Sequence, residues 1–126
     1  MPEKSLLLVD DELSLAGLLK KYLEREGFSV DVAANGAAAL AAASARTFDL
    51  VVLDLNLPDI PGEEIMRLLL DQFPNCRILI SSGTPFSHDH LDEPDRARVS
   101  FLLKPYMPRH LLTAIQSLFQ PGGPAA

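Results

Sequence analysis

Two short apolar runs decide the fold of this chain: SLLLV at residues 5–9 and LVVL at residues 50–53. Each run is almost continuously apolar, which is typical of strands buried on both faces of a parallel sheet. The first run ends in Asp10-Asp11 and the second ends in Asp54. The two runs therefore predict central strands that are each followed at once by a carboxylate.

The rest of the chain alternates between helical and strand patterns. The other predicted elements, in chain order, are a helix over 15–23, an edge strand over 28–32, an alanine-rich helix over 36–45, a helix over 63–72, strands over 77–81 and 101–103, and a helix from Pro108. Strands that alternate with helices pair in parallel, with helices on both faces of the sheet. We therefore predict an α/β fold, a doubly wound five-stranded parallel sheet.

Residues 84–99 break this alternation, because they should supply the fourth helix. The segment contains Pro85, Pro94, scattered apolar residues and several acidic ones. A proline inside a helix removes a hydrogen bond and clashes with the preceding turn, at a cost of about 3 kcal/mol. We expect an atypical fourth helix that is short, shifted or frayed.

Length and composition limit the function. The 126 residues suit one globular domain, which we place at 1–120 with a flexible tail at 121–126. A net charge of −6 argues against direct binding of nucleic acid or an anionic membrane. No apolar run approaches the roughly 20 residues that span a bilayer, and no secretory signal is present, so we expect a cytoplasmic protein. The single cysteine, Cys76, excludes an internal disulfide.

Polar and charged residues follow four of the five predicted strands. They are Asp10 and Asp11 after the first strand, Asp54 after the third, Ser81 and Ser82 at the end of the fourth, and Lys104 after the fifth. The carboxyl ends of parallel strands form the ligand site of such sheets, so these groups should converge. Each residue alone has a bland explanation, such as a helix cap or a solvated loop, and only their conjunction is informative.

The converging groups predict a magnesium-dependent phosphoryl site. Three close carboxylates repel one another unless a cation neutralises them, and Mg²⁺ prefers oxygen ligands and keeps room for phosphate oxygens. Lys104 and a serine hydroxyl would meet the charge of a phosphoryl group, and a central carboxylate can act as the nucleophile.

The same residues resemble the response regulator receiver domain. The matching motifs are LVDD at 8–11, VLDLNLP at 52–58, Gly62, SG at 82–83 and FLLKP at 101–105. The resemblance covers about Ser5 to Phe119 and implies a flavodoxin-like fold with strand order 2-1-3-4-5. It also implies a phosphorelay function in a two-component regulatory system: Asp54 accepts a phosphoryl group from a histidine kinase or a histidine phosphotransfer protein, and the phosphoprotein signals to a downstream partner.

The resemblance also implies a role for each matching residue. Asp10 and Asp11 hold Mg²⁺ together with Asp54 and the backbone carbonyl of Asn56, Ser82 is the switch hydroxyl, Lys104 contacts the phosphoryl group and precedes a cis proline, and Phe101 is the aromatic switch. Such a protein is a regulatory phosphoacceptor that assists its own phosphorylation and dephosphorylation, and it is not counted as an enzyme. Ala97, where the family usually has glycine, and the unusual segment 84–99 depart from the family pattern.

Two other functions compete with this interpretation. A phosphatase of the haloacid dehalogenase kind also uses an aspartate nucleophile, but it needs a second aspartate two residues later, where this chain has Asn56. A degenerate receiver that only binds partners is the other alternative. The histidines of His88-Asp89-His90 form at most a minor transition-metal candidate.

Overall fold

The computed structural model describes residues 3–87 and 89–120, which form a five-stranded parallel sheet flanked by helices. The strands are β1 (Ser5–Val9), β2 (Ser29–Ala33), β3 (Leu50–Asp54), β4 (Arg77–Ser82) and β5 (Val99–Leu103), and the α-helices of the described residues are α1 (Leu13–Arg25), α2 (Gly36–Ala45), α3 (Gly62–Gln72) and α4 (Pro108–Phe119). The strand order β2-β1-β3-β4-β5 confirms the predicted sheet.

The strand register aligns the carboxyl ends of the central strands. Val9 lies beside Leu53, Asp54 lies beside Ser81, and Ser82 lies beside Leu103. Lys104 continues the ladder, since its N–H donates to the carbonyl of Ser82 at 2.8 Å. Residues that follow β1, β3, β4 and β5 therefore emerge at one edge of the sheet.

Each face of the sheet is covered by one apolar core. On one face, Val51 and Leu53 of β3 pack with residues of α2 and α3. On the other face, Leu50 and Val52 pack with residues of α1 and α4. Because successive side chains of a strand point to opposite faces, a strand between two cores must be apolar at every position. This accounts for the continuous runs of β1 and β3.

Several predicted boundaries are off by one or two residues. The strand predicted at 28–32 is β2 at Ser29–Ala33, because Phe28 still donates its N–H to the carbonyl of Leu23 in the helix end, after Gly27 with its φ of +98°. The strand predicted at 101–103 begins earlier, at Val99. α3 begins at Gly62 and β4 ends at Ser82, each one residue beyond the prediction.

The expected fourth helix is reduced to one short 3-10 helix, Asp95–Arg98. In the described residues between β4 and β5, 83–87 and 89–98, there is no α-helix. Pro94 lies directly before the 3-10 helix, where its missing N–H costs nothing. The prolines and the scarcity of apolar residues thus account for a short 3-10 helix in place of an α-helix.

The guanidinium of Arg98 anchors this segment to the end of α3. Arg98 donates to the carbonyls of Leu70 at 3.2 Å, Phe73 at 2.6 Å and Cys76 at 3.0 Å. The last carbonyls of a helix lack partners within it, and a cation near them also interacts favourably with the helix dipole. Arg98 therefore satisfies the end of α3 and fixes the start of β5.

Arg98→Ala should lower the free energy of unfolding by about 3 kcal/mol, because three carbonyls lose a charged donor. The stability of Arg98→Lys should lie between those of Arg98→Ala and the original protein, since an ammonium cannot reproduce the planar fork of a guanidinium. Urea denaturation measures both changes. Arg67→Ala, on the exposed side of α3, is the matched control and should stay within about 0.5 kcal/mol of the original protein. An equal loss in Arg98→Ala and Arg67→Ala would contradict this role of Arg98.

Cys76 is buried, and its surroundings keep the thiol unreactive. Burial raises the pKa of its thiol to about 11, although Arg98 lowers it in part. At pH 8 only roughly one thiol in a thousand is then ionised. We expect iodoacetamide to label the folded protein at least about 100-fold more slowly than the urea-unfolded protein at pH 8, and labelling of the folded protein to accelerate as pH rises to 9. Mass spectrometry follows the reaction, and equal rates in the two states would contradict the burial.

No helix of the described residues is long and apolar enough to cross a membrane. The predicted tail, 121–126, and His88 of the histidine pair lie outside the described residues. The domain bounds 1–120 therefore stay a prediction.

Candidate functional site

The edge at the carboxyl ends of the strands brings together the acidic residues that the sequence singled out. Asp10 follows β1 and is 8% exposed, and Asp54 ends β3 and is 6% exposed. Asp11 lies beside them and is exposed to solvent. Buried carboxylates are rare unless they are paired or bind a cation. Buried Asp10 and Asp54 therefore mark a site that needs a positive charge nearby.

The three carboxylates form a cluster that could hold a metal ion. One oxygen from each of Asp10, Asp11 and Asp54 lies within 4.8 Å of the others. The donors are all carboxylate oxygens, which suits Mg²⁺ and does not suit metals that prefer nitrogen or sulfur. The donor set therefore fits magnesium.

Lys104 pairs with both buried carboxylates. Its Nζ lies 3.3 Å from Asp10 Oδ2 and 3.2 Å from Asp54 Oδ2. Burial favours the neutral amine, but the charges of Asp10 and Asp54 outweigh it, so the pKa of Lys104 is raised above its usual value. Lys104 thus stays a cation and neutralises part of the acidic cluster.

Backbone N–H groups fix the orientation of the two buried carboxylates. Asp10 Oδ1 accepts from the N–H of Glu12 at 2.9 Å, and Asp54 Oδ1 accepts from the N–H of Asn56 at 3.0 Å. Side chains of aspartate commonly bind the backbone two residues later in this way. In each residue the other oxygen, Oδ2, faces Lys104. The carboxylates are therefore held in place before any ligand arrives.

The two serines at the end of β4 have different partners. Ser82 is fully buried, and its Oγ lies 3.2 Å from Thr84 Oγ1 and accepts the N–H of Thr84 at 3.2 Å. Ser81 Oγ lies 3.0 Å from the hydroxyl of Tyr106. Adjacent strand residues point to opposite faces of the sheet, so the hydroxyls of Ser81 and Ser82 lie on opposite faces.

Phe101 lies half-buried on β5, next to the segment that replaces the fourth helix. Its ring is 6.3 Å from the ring of Phe86, which in turn meets His90 edge-on at 6.1 Å. The predicted aromatic switch residue therefore lies beside Phe86 of the unusual segment.

The cis peptide bond implied at Lys104-Pro105 is present. A second cis bond, at Glu93-Pro94, was not predicted. Asn56 follows Asp54 by two residues in the loop after β3, as the motif requires.

Two residues near the site were missed by sequence reasoning. Tyr106 is half-buried beside Ser81, and burial raises the pKa of its hydroxyl. Its position just after Lys104-Pro105 was the available signal. Asp59 binds the start of α2 with its carboxylate, and no local pattern indicates this, because its partners are more than 20 residues away in sequence.

Comparison with known protein families gives a match over most of the chain. Residues 6–116 match the family described as the response regulator receiver domain.

Curated relatives are similar along nearly the whole chain. The transcriptional regulatory protein CreB of Escherichia coli (strain K12) is 31% identical over 120 residues, which cover 95% of this chain and 52% of CreB. ResD of Bacillus subtilis (strain 168), also a transcriptional regulatory protein, is 29% identical over 118 residues, which cover 94% of this chain and 49% of ResD. The chain spans about half the length of these relatives.

Solved structures share the fold. The CheY-like receiver domain protein of Methanospirillum hungatei JF-1 has a TM-score of 0.79 and 30% identity, with 90% of this chain and 91% of that chain covered. The response regulator protein TrrA of Thermotoga maritima, solved in complex with Mg(2+)-BeF, has a TM-score of 0.76 and 28% identity, with 92% and 99% covered.

Proposed function

The chain belongs to the response regulator receiver family, and from this membership we propose that it accepts a phosphoryl group on Asp54 with Mg²⁺ and thereby switches the binding of a partner protein. One observation carries the proposal. The Lys104 ammonium lies between buried Asp10 and Asp54, with Asp11 completing a three-carboxylate cluster. The groups proposed as nucleophile, metal ligands and cation thus lie together at one edge.

Magnesium would be held by Asp10, Asp11, Asp54 and the backbone carbonyl of Asn56. The all-oxygen cluster supports this assignment, as does the similarity to TrrA, which was solved with Mg(2+)-BeF. When bound, the ion neutralises negative charge on the carboxylates and on a phosphoryl group.

The proposed transfer uses groups that already lie beside Asp54. An oxygen of Asp54 attacks phosphorus, the bond from phosphorus to the donor breaks, and an acyl phosphate forms, with the leaving group taking the bonding electrons. The N–H of Asn56 holds Asp54 Oδ1 at 3.0 Å, which fixes the nucleophile. Lys104, already 3.2 Å from Asp54 Oδ2, is close enough to bind oxygens of the added group. Hydrolysis by water would return the chain to its starting state.

The switching step would involve Ser82, Phe101 and residues 84–99. Ser82 Oγ and Thr84 are hydrogen-bonded, and Phe101 contacts Phe86 of that segment. A phosphoryl group changes a population only through contacts that differ between two states. Movement of Ser82 toward the group would break its contacts with Thr84 and so affect the segment beside Phe101.

The proposed donor is a histidine kinase or a histidine phosphotransfer protein, and the output is a downstream protein that recognises the phosphorylated form. CreB and ResD are transcriptional regulatory proteins, which supports a signalling role. A cytoplasmic location and the absence of direct nucleic-acid binding stay predictions from the sequence.

Mass spectrometry of the intact protein tests the proposal. With acetyl phosphate and Mg²⁺, we expect one added phosphoryl group, and with EDTA in place of Mg²⁺ we expect none. A mass unchanged by acetyl phosphate and by the cognate kinase would contradict the proposal.

Hydrolysis of p-nitrophenyl phosphate separates a receiver from a haloacid dehalogenase-like phosphatase. Asn56 stands where the phosphatase needs a general acid, and its N–H is bonded to Asp54. We therefore expect no sustained turnover. Steady turnover that depends on Asp54 would favour the phosphatase.

A further inference from the structure

Asp59 joins the loop after β3 to the start of α2. Its Oδ1 accepts the N–H of Gly36 at 2.8 Å, and its Oδ2 accepts the N–H of Ala37 at 2.9 Å. Oδ1 also accepts the N–H of Ile60 at 2.9 Å. Both carboxylate oxygens are therefore engaged, although Asp59 is exposed to solvent.

α2 has no acidic residue of its own in its first turn. The N–H of Ala38 is capped locally, by the Asn35 side chain at 2.8 Å. The two preceding N–H groups, of Gly36 and Ala37, are bound by Asp59. A negative charge is favourable at this end of a helix, both for the free N–H groups and for the helix dipole. Asp59 supplies that charge from a distant part of the chain.

The loop and the start of α2 approach so closely that a side chain at residue 36 would crowd its neighbours. A Cβ at Gly36 would lie 3.0 Å from Ile60 Cβ and 3.2 Å from Asp59 Oδ1. The hydrogen bonds from Gly36 and Ala37 to Asp59 are thus part of a close contact between the start of α2 and the side chains of Asp59 and Ile60. These bonds also lower the pKa of Asp59, with the bond from Ala37 the largest cause.

The loop held in this way runs from the phosphoacceptor to α3 and includes Asn56. Its two ends are fixed near Asp54, because Asn56 donates its N–H to Asp54 Oδ1 and Gly62 donates its N–H to the carbonyl of Leu55. Its centre, around Asp59, reaches away to α2. The end of β2, just before the turn into α2, also contacts Asp10, since Asp10 donates its N–H to the carbonyl of Ala33. The connection from β2 to α2 therefore contacts both Asp10 and the loop that follows Asp54.

We propose that Asp59 is a positioning residue that fixes the loop carrying Asn56 against α2 and thereby strengthens Mg²⁺ binding. The proposal rests on the proposed function, because it assumes that the Asn56 carbonyl is a metal ligand. Asp59 does not contact the metal in this account. It acts as the partners of metal ligands do, by restricting the ligand's backbone to one position.

Isothermal titration with MgCl₂ alone, combined with amide hydrogen exchange, tests this role. In Asp59→Ala we expect Mg²⁺ to bind about tenfold more weakly, and the amides of Gly36 and Ala37 to exchange faster. Asp59→Asn keeps the shape and one acceptor oxygen, so we expect a smaller loss. The rate of phosphorylation by acetyl phosphate should recover at saturating Mg²⁺, which a general loss of structure would not allow.

Asp71→Ala and Asp71→Asn are the matched controls. Asp71 is an exposed aspartate on α3, and its substitution removes the same charge. We expect their Mg²⁺ affinity within about twofold of the original protein at physiological salt. Equal affinity in the Asp59 and Asp71 variants would overturn the positioning role, and so would unchanged exchange at Gly36 and Ala37. Failure of the original protein to bind Mg²⁺ would be a different result, because it would contradict the proposed function itself.

Discussion

Asp54→Asn should abolish uptake of a phosphoryl group from acetyl phosphate and Mg²⁺, while the protein stays folded. The amide has nearly the shape of the carboxylate, and its oxygen can still accept the N–H of Asn56. It is, however, a poor nucleophile and a neutral metal ligand. Lys104 keeps its other partner, Asp10, so the substitution does not leave this cation unpaired.

The comparison requires a second aspartate variant and a check of folding. Asp71→Asn, with the same change of charge on an exposed helix position, should take up one phosphoryl group as the original protein does. Intact mass measures the uptake, and circular dichroism checks that both variants are folded. An adduct of equal yield in Asp54→Asn would mean that another residue is the acceptor.

Gly62→Ala should produce the largest loss of stability, about 3 kcal/mol or more in the free energy of unfolding. A Cβ at this position would lie 2.4 Å from Leu55 Cα and 2.9 Å from the Asp54 carbonyl oxygen. Both atoms belong to backbone, which cannot rotate away as a flexible side chain can. The start of α3 would have to move away from the end of β3, and Gly62 would lose its bond to the Leu55 carbonyl.

Gly17→Ala is the control for the general effect of replacing glycine. A Cβ at Gly17, in the interior of α1, meets no atom within 4 Å. We therefore expect Gly17→Ala to raise the free energy of unfolding by up to about 1 kcal/mol, because alanine favours the helix. In urea denaturation, we therefore expect the free energy of unfolding to fall in Gly62→Ala and to rise in Gly17→Ala. Similar small changes in both would show that the contact at Gly62 does not restrict the backbone.

Much of the sheet and the core of the site could be predicted from local sequence patterns. The apolar runs at 5–9 and 50–53 identify strands between two cores, and this fixes where Asp10 and Asp54 emerge. Parallel pairing then requires that both lie at one edge with Lys104. The structure brings these three side chains into contact.

The connection between β4 and β5 could be predicted only in outline. Pro94 predicts a disturbed helix, but the length of the remaining helix depends on the contacts of Arg98 with carbonyls of α3 and the following loop. These contacts join residues more than 20 positions apart. β5 begins at Val99, directly after Arg98, where it pairs with Ile78 of β4.

The support of the site was also beyond the sequence pattern. Asp59 caps a helix that begins 23 residues earlier, and Ser81 of β4 meets Tyr106 in the loop after β5. Local periodicity carries no information on such partners, since they depend on how the loops pack at the edge of the sheet.

Locating the phosphoryl group within the chain tests the central claim most directly. After reaction with acetyl phosphate and Mg²⁺, borohydride reduces an aspartyl phosphate to homoserine, which tandem mass spectrometry can place at one residue. We predict homoserine at position 54, dependent on both acetyl phosphate and Mg²⁺. Homoserine at Asp10 or Asp11 instead, or at no position in a protein that binds Mg²⁺, would contradict the assignment of Asp54 as the phosphoacceptor.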